Sequence, residues 1–283
     1  MSEQNKGEGQ PLTQAISRML DEGSAGVLVT LISLPDPPPA GLRIGSRLLA
    51  QGSAPYVGSL GDTELDEATA RQAQDFLAAR EDARSIKVED FAPSLRQFHG
   101  VQVLFERIEA EPRLVIAGAG HVGASLARLA ALVGYRVTLI DDRAEFLARD
   151  LFAAPSEQGI NLVVTEDWST GMLEAIASGQ GVSVAIVTRG HKQDEDCLRA
   201  AISASPVYIG MIGSKRRTNI VLDKLREEGA DRDQLKKVRA PVGLDIGAVS
   251  PEEVALAILA EIVAERRGGS GASLSEWRRG DLS

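Results

Sequence analysis

A strand-like apolar run, "RLVIAG", ends on Gly118. Gly120 and Gly123 then complete a G-x-G-x-x-G that opens a helix-like stretch, "HVGASLARLAALVG". Strand, glycine turn and helix in this order make the arrangement that seats a phosphate. Gly118 permits the tight turn, Gly120 lets the backbone approach the phosphate, and Gly123 lets helix and strand pack closely. The helix start offers free N–H groups and the positive end of its dipole to an anion. The next apolar run, "YRVTLID", ends on Asp141. A carboxylate at that position hydrogen-bonds a ribose diol in dinucleotide sites, and Asp142 is the alternative for the role. His121, inside the turn, has two readings. It contacts a phosphate or cofactor, or it is a solvated side chain at a helix start.

Further candidates fall after later apolar runs. "TRGHKQD" carries Arg189, His191 and Asp194, and "GSKRR" carries Gly213, Ser214 and the cations Lys215 to Arg217. In an open parallel sheet, ligands bind outside the carboxyl ends of the strands. Gly120, His121, Asp141, His191 and Ser214 are therefore expected to border one crevice. The structural alternatives are helix capping for His191 and Asp194 and a solvated helix face for Lys215 to Arg217. Asp245 lies between Gly243 and Gly247 in "APVGLDIGAVSPEE", a segment with little room for regular structure. Its glycines either bring the chain close to a ligand or make a docking turn before the last helix. A hydride-transfer enzyme needs a proton donor or acceptor near the reacting carbon. None of Tyr56, Tyr135 and Tyr208 has a lysine four residues on, so His191 is the obvious candidate, and no catalytic residue is assigned. Cys197 is expected to be buried on a helix. One cysteine and three scattered histidines give no support to a zinc-type cluster, so no metal ligands are assigned.

The elements that must position these groups form two parts. Residues 11–110 read as a small α+β domain. It has an amphipathic helix with Leu12, Ile16, Met19 and Leu20, a strand "AGVLVTLIS" and a proline-rich loop "LPDPPPAG". Short strands in "RIGSRLLA" and "APYVGSLG" follow, then a helix "DTELDEATARQAQDFLAAR" and a closing strand "GVQVLFERI". "EAEPR" marks the boundary. Residues 111–268 alternate strand and helix five times, which implies a Rossmann-like parallel sheet with helices on both faces. In the last helix Ser250, Pro251 and Glu253 read as cap, first turn and capping box. Val254, Ala255, Ile258, Leu259 and Ile262 form its apolar stripe. Residues 269–283 read as a flexible tail.

The totals set outer bounds. The chain has 283 residues, 43% of them hydrophobic, enough for two ordinary cores. A net charge of −9 argues against a broad attraction to nucleic acid or anionic membrane. No apolar run approaches the roughly 18 residues of a membrane span, and the polar start "MSEQNKGEGQ" lacks a signal-peptide core. A cytoplasmic protein is expected.

Three segments together are more specific than the glycine turn. "LVIAGAGHVGASLARLAALVGYRVTLIDDR", "YIGMIGSKRR" and "VRAPVGLDIGAVSPEEVALAILAEIVAERR" resemble the XdhC/CoxI family. These are accessory proteins for the maturation of xanthine dehydrogenase and related molybdenum hydroxylases. The resemblance covers about residues 11–268 and is strongest from residue 114 on. It implies an N-terminal domain followed by a Rossmann-like one. It also implies a maturation factor that binds molybdenum cofactor (molybdopterin), supports its sulfuration and hands it to the apo-enzyme, without being a catalyst itself. A cysteine desulfurase is an implied further partner, and a homodimer an implied assembly. Gly118, Gly120, His121, Val122 and Gly123 match the family's GAGHV-type turn, and Asp141, Asp142 and Arg143 its DDR. His191 and Asp194 match its H-x-x-D, Gly213 and Ser214 its glycine–serine turn, and Asp245 the acid of its PxGLDIG. The N-terminal part departs from the pattern. The cysteine of the family's GGGCxE turn falls at Glu64, and a later cysteine–glycine–glycine is replaced by Phe98 to Gly100. A thiolate is a good soft ligand and a carboxylate is not, so no cysteine-based role carries over. The glycine turn leaves two alternatives open, an NAD(P)-dependent oxidoreductase and a non-catalytic nucleotide-binding module.

Overall fold

The computed structural model describes residues 9–52, 54–79, 81–148, 159–177, 179 and 181–275. The chain divides into two compact units, Met1–Ala110 and Glu111–Ser283.

The first unit begins with α1 (Gly9–Asp21), whose Met19 is buried. β1 (Ala25–Ser33), β2 (Arg47–Ala50) and β3 (Val57–Ser59) follow, then α2 (Thr63–Ala78). β4 (Ala83–Lys87), the single turn α3 (Val88–Phe91), a 3-10 turn (Arg96–Phe98) and β5 (Gln102–Glu109) complete it. The sheet order is β3-β2-β1-β5-β4, and every pair is antiparallel. α2 starts where the sequence supplies a cap: the Asp62 carboxylate accepts from the Leu65 N–H at 3.1 Å. Its inner face buries Leu65, Ala73 and Phe76 against Val29, Val103 and Phe105 of the sheet. The Phe76 and Phe105 rings lie 5.7 Å apart between centroids.

The second unit alternates. β6 (Arg113–Ala117), α4 (His121–Leu132), β7 (Arg136–Asp141) and the single turn α5 (Ala144–Leu147) come first. β8 (Ile160–Val164), α6 (Trp168–Ile176), β9 (Val182–Ile186) and α7 (His191–Ala204) follow. Then come β10 (Tyr208–Met211), α8 (Lys215–Glu227), α9 (Arg232–Lys237), β11 (Val238–Arg239) and α10 (Pro251–Arg267). The six strands are all parallel, in the order β11-β10-β9-β6-β7-β8. Counted by strand this is 6-5-4-1-2-3, the doubly wound dinucleotide-fold order, and the direction of winding reverses between β6 and β9.

Both faces of this sheet are covered, and its central strands β6, β9 and β10 are buried along nearly their whole length. Leu114 and Ile116 of β6 face one core with α4 and α10. The intervening Val115 and Ala117 face a second core with α6, α7 and α8. α10 has the expected capping box, with the Ser250 hydroxyl accepting from the Glu253 N–H and the Glu253 carboxylate accepting from the Ser250 N–H. Ala255, Ile258, Leu259 and Ile262 of its expected stripe are buried, and Gly268 ends it in the left-handed conformation. Of the expected tail, residues 276–283 lie outside the described residues. Among the described residues no helix is long and apolar enough to cross a membrane.

Candidate functional site

The β6–α4 turn is wedged between its neighbouring strands. Gly118 donates its N–H to Ile140 O at 2.8 Å and holds φ at +109°. A Cβ there would lie 2.7 Å from Val187 O. A Cβ on Gly123 would lie 1.8 Å from Gly118 O. These two glycines are required by the protein's own packing. Gly120 is different. It caps α4, its φ is −61°, and a Cβ on it would meet no protein atom within 4 Å. No protein atom crowds that position, so glycine there serves the helix cap and leaves the backbone open to an anion.

A cavity of about 280 Å³ opens over this turn, at the carboxyl ends of β6, β7 and β9. It brings together Gly118, Gly120, His121, Asp141, Asp142 and Arg143 from the sequence candidates, and Arg189 from "TRGHKQD". Phe146, Trp168, Thr188 and Gln193 also line it and carried no sequence signal of their own. Their one common cue is position: each follows the carboxyl end of β7, β8 or β9, where such sheets bind ligands.

Asp141 and Arg143 form the polar centre. The Asp141 side chain is fully buried. Its Oδ2 accepts from the Ala119 N–H at 2.6 Å and from Arg143 Nη2 at 2.9 Å. Its Oδ1 accepts from the Arg143 N–H at 3.0 Å and from Arg143 Nε at 2.8 Å. Burial pushes the carboxyl up, but the hydrogen bonds from Arg143 and Ala119 and the guanidinium charge outweigh it and hold it below the usual carboxylate range. The same bond to Asp141 raises Arg143. The guanidinium lies 3.6 Å above the Phe146 ring centroid, a cation–π stack.

The other candidates do not line this cavity. Val122 is partly buried against the core, and Gly123 is buried under the turn. Asp194 is fully buried and accepts a hydrogen bond from the Thr188 hydroxyl, so it braces the β9–α7 turn from within. His191 is exposed at the first residue of α7, and Gly213 and Ser214 precede α8. The side chains of Lys215 and Arg217 lie outside the described residues. Asp245 is exposed, while its neighbours dock: Gly243 N–H donates to Glu261 at 3.1 Å and Leu244 N–H to Ala257 O at 3.1 Å. A Cβ on Gly243 would press on the backbone of Ala257, so this glycine serves the docking of the segment onto α10. Cys197 is buried, and burial together with Asp194 and Asp196 raises its thiol. In the first unit, Glu64 stands exposed on the first turn of α2, its carboxylate 3.5 Å from Gln97 Nε2. Phe98 is buried, and His99 Nε2 lies 3.1 Å from Pro93 O. Among the described residues no three His, Cys, Asp or Glu side chains gather at metal-holding distance.

A doubly wound parallel sheet with a glycine-turn cavity at its switch point defines a Rossmann-like nucleotide-binding fold in the second unit, and the first unit is a smaller α+β domain. The family model for the XdhC Rossmann domain matches residues 114–262, more than half of the chain, and the protein belongs to the XdhC family. Curated relatives agree. The chain is 34% identical over 160 residues to the uncharacterized protein YqeB of Escherichia coli (strain K12), covering 56% of this chain and 28% of that one. It is 30% identical over 165 residues to a probable xanthine dehydrogenase subunit of Bacillus subtilis (strain 168), covering 58% and 46%. It is 41% identical over 69 residues to the molybdenum cofactor insertion chaperone PaoD of E. coli (strain K12), covering 24% and 22%. Each match spans less than half of the relative's own length. Among solved structures, a xanthine dehydrogenase from Bacillus halodurans is similar in fold. The TM-score is 0.59 at 20% identity, over 90% of this chain and 66% of that one.

Proposed function

We propose that this protein is an accessory factor for a xanthine dehydrogenase-type molybdenum hydroxylase. It binds molybdenum cofactor as cargo, holds it while a separate desulfurase acts on it, and passes it to the apo-enzyme. The observation that carries this reading is Gly120: a glycine at a helix N-terminus, facing a cavity, whose Cβ position the fold leaves empty. Molybdopterin ends in a phosphate, and the α4 N-terminus with Gly120 is the seat for it. His121 and Arg189 stand at the rim as further donors to an anion. Family membership supplies the client class, and the relative named as a molybdenum cofactor insertion chaperone supports the handling role. The cargo keeps its own metal. With Glu64 where the family has its cysteine, the sulfur-transfer step is assigned to the partner and not to this chain.

The test separates ligand from fold. Gly120→Val puts a branched side chain into the phosphate seat, with a Cβ that meets no protein atom within 4 Å. The variant is expected to melt within about 4 °C of the parent, since losing the glycine N-cap costs about 1 kcal/mol. It should fail to restore client-enzyme activity in a strain lacking the parent gene. Full restoration by the variant would remove the cavity from the mechanism. Unchanged client activity and cofactor content in the deletion strain would remove the accessory role altogether. Tight NAD(H) binding with turnover of a carbonyl compound is the result that would favour the oxidoreductase alternative.

A further inference from the structure

The residue that ought to read a ribose has no acceptor left to read it with. Asp141 ends the second strand of the parallel unit and touches the glycine turn through the Ala119 N–H, the place where dinucleotide sites hold their diol-binding acid. An ionised carboxylate offers about four lone-pair sites. All four hydrogen bonds to Asp141 come from this chain: Ala119 N–H, Arg143 N–H, Arg143 Nε and Arg143 Nη2. The side chain is also fully buried. A ribose hydroxyl would have to displace one of these donors. The neighbouring Asp142 is drawn to the same guanidinium, 3.5 Å from Nε.

Arg143 takes the diol's place and shapes what is left. Its Nε and Nη2 are spent on Asp141, and its Nη1 has no hydrogen-bond partner among the described residues. Phe146 covers one face of the guanidinium. Trp168 lines the same cavity. A charge-balanced guanidinium with a spare edge, stacked on one aromatic ring, suits a flat nitrogen heterocycle with a ring acceptor. The cavity volume of about 280 Å³ lies just under the ~300–1,000 Å³ of ligand pockets and suits a ligand of about mononucleotide size.

We infer that Arg143, by occupying Asp141, makes the cavity indifferent to a ribose diol in the phosphate ester it holds. This rests on Gly120 being the phosphate seat, as proposed above.

Calorimetric titration of the full chain tests it. AMP and 2′,3′-dideoxyadenosine 5′-monophosphate are expected to bind with affinities within about threefold of each other, because no hydroxyl contact is lost. A pterin phosphate ester in a third titration tells a pterin source from a nucleoside one by which binds more tightly. A dideoxy compound about tenfold weaker than AMP, the cost of losing a hydrogen bond to a carboxylate, would overturn the inference. So would failure of all three probes to bind at millimolar concentration. Arg143→Ala frees Asp141 and is expected to create a preference of about tenfold for AMP over the dideoxy compound. A folded variant without that preference would take the role away from Arg143. If Arg143→Ala does not fold, the ratio in the parent protein decides alone. Gly120→Val separates the two levels. Binding of AMP at parental strength by that variant would sink the phosphate seat. Diol sensitivity in a parent whose binding Gly120→Val abolishes would sink only this inference.

Discussion

Gly123→Ala is expected to destabilise the second unit by about 3 kcal/mol or more, at the upper end of what overpacking costs. The added methyl would lie 1.8 Å from Gly118 O and 3.1 Å from Val187 Cγ2. The first obstacle is main chain, so no rotamer change relieves it. Gly118 cannot yield easily either, because its N–H is bonded to Ile140 and the backbone at Val187 closes in on it, 2.7 Å from where a Cβ would stand. Relief requires α4 to move off the sheet, which opens the core of Leu114, Ile116 and Leu126. For a unit of this size the melting temperature should fall by about 6–12 °C. The control is Gly120→Ala, three residues earlier in the same turn, whose methyl meets nothing and should lower the melt by no more than the few degrees that a poorer N-cap costs. Thermal scans by circular dichroism compare the two. Equal melting of Gly123→Ala and the parent would mean that the turn is not packed as described.

The second large effect is expected at Asp141. Asp141→Asn removes the charge that Arg143 is folded around and turns one acceptor oxygen into a donor facing other donors. Breaking such a pair costs about 3–5 kcal/mol when it is buried. Arg143 keeps some solvent access, 17% of its side chain, so about 3 kcal/mol is the expected loss at neutral pH. The pH dependence has a definite sign. The folded carboxyl is held below its ordinary value. Its contribution is therefore complete above the unfolded value of about 3.9 and disappears as the pH falls through the lowered folded value. Urea unfolding should show a constant gap between parent and variant from about pH 5 to 8, closing as the pH drops below about 4. A gap that is absent at neutral pH would show that the pair does not support the fold.

These two residues also mark where sequence reading stops. Gly118, Gly120 and Gly123 are visible because a strand, a turn and a helix leave a pattern in spacing, and their position at the switch point follows from strand and helix alternation. The capping box at Ser250 and Glu253 is equally local. The weaker elements leave no pattern. β4 buries only Ile86 of its five residues, α3 and α5 are single turns, and β11 is a two-residue pairing whose form is set by the sheet it joins. Asp141 was legible by position but not by state. Its partners are an adjacent arginine whose rotamer the sequence does not fix and a main-chain N–H brought to it by the fold. Asp194 looks the same in sequence as a ligand-binding acid, yet it sits under Thr188. The PxGLDIG segment offered two readings, ligand contact or docking. Gly243 docks on α10 while Asp245 stays exposed, so one short motif holds both a structural glycine and an acid open to other uses.

The central claim is that the cavity over Gly120 holds a phosphate-bearing cofactor for a molybdenum hydroxylase. Its most direct test is the pterin content of the protein purified from cells that make molybdenum cofactor, read by mass spectrometry and by fluorescence after oxidation. The parent chain should retain about one molybdopterin-derived pterin per folded protein, and Gly120→Val, equally folded, should retain almost none. Parent protein free of pterin, or a variant that carries as much as the parent, would contradict the account.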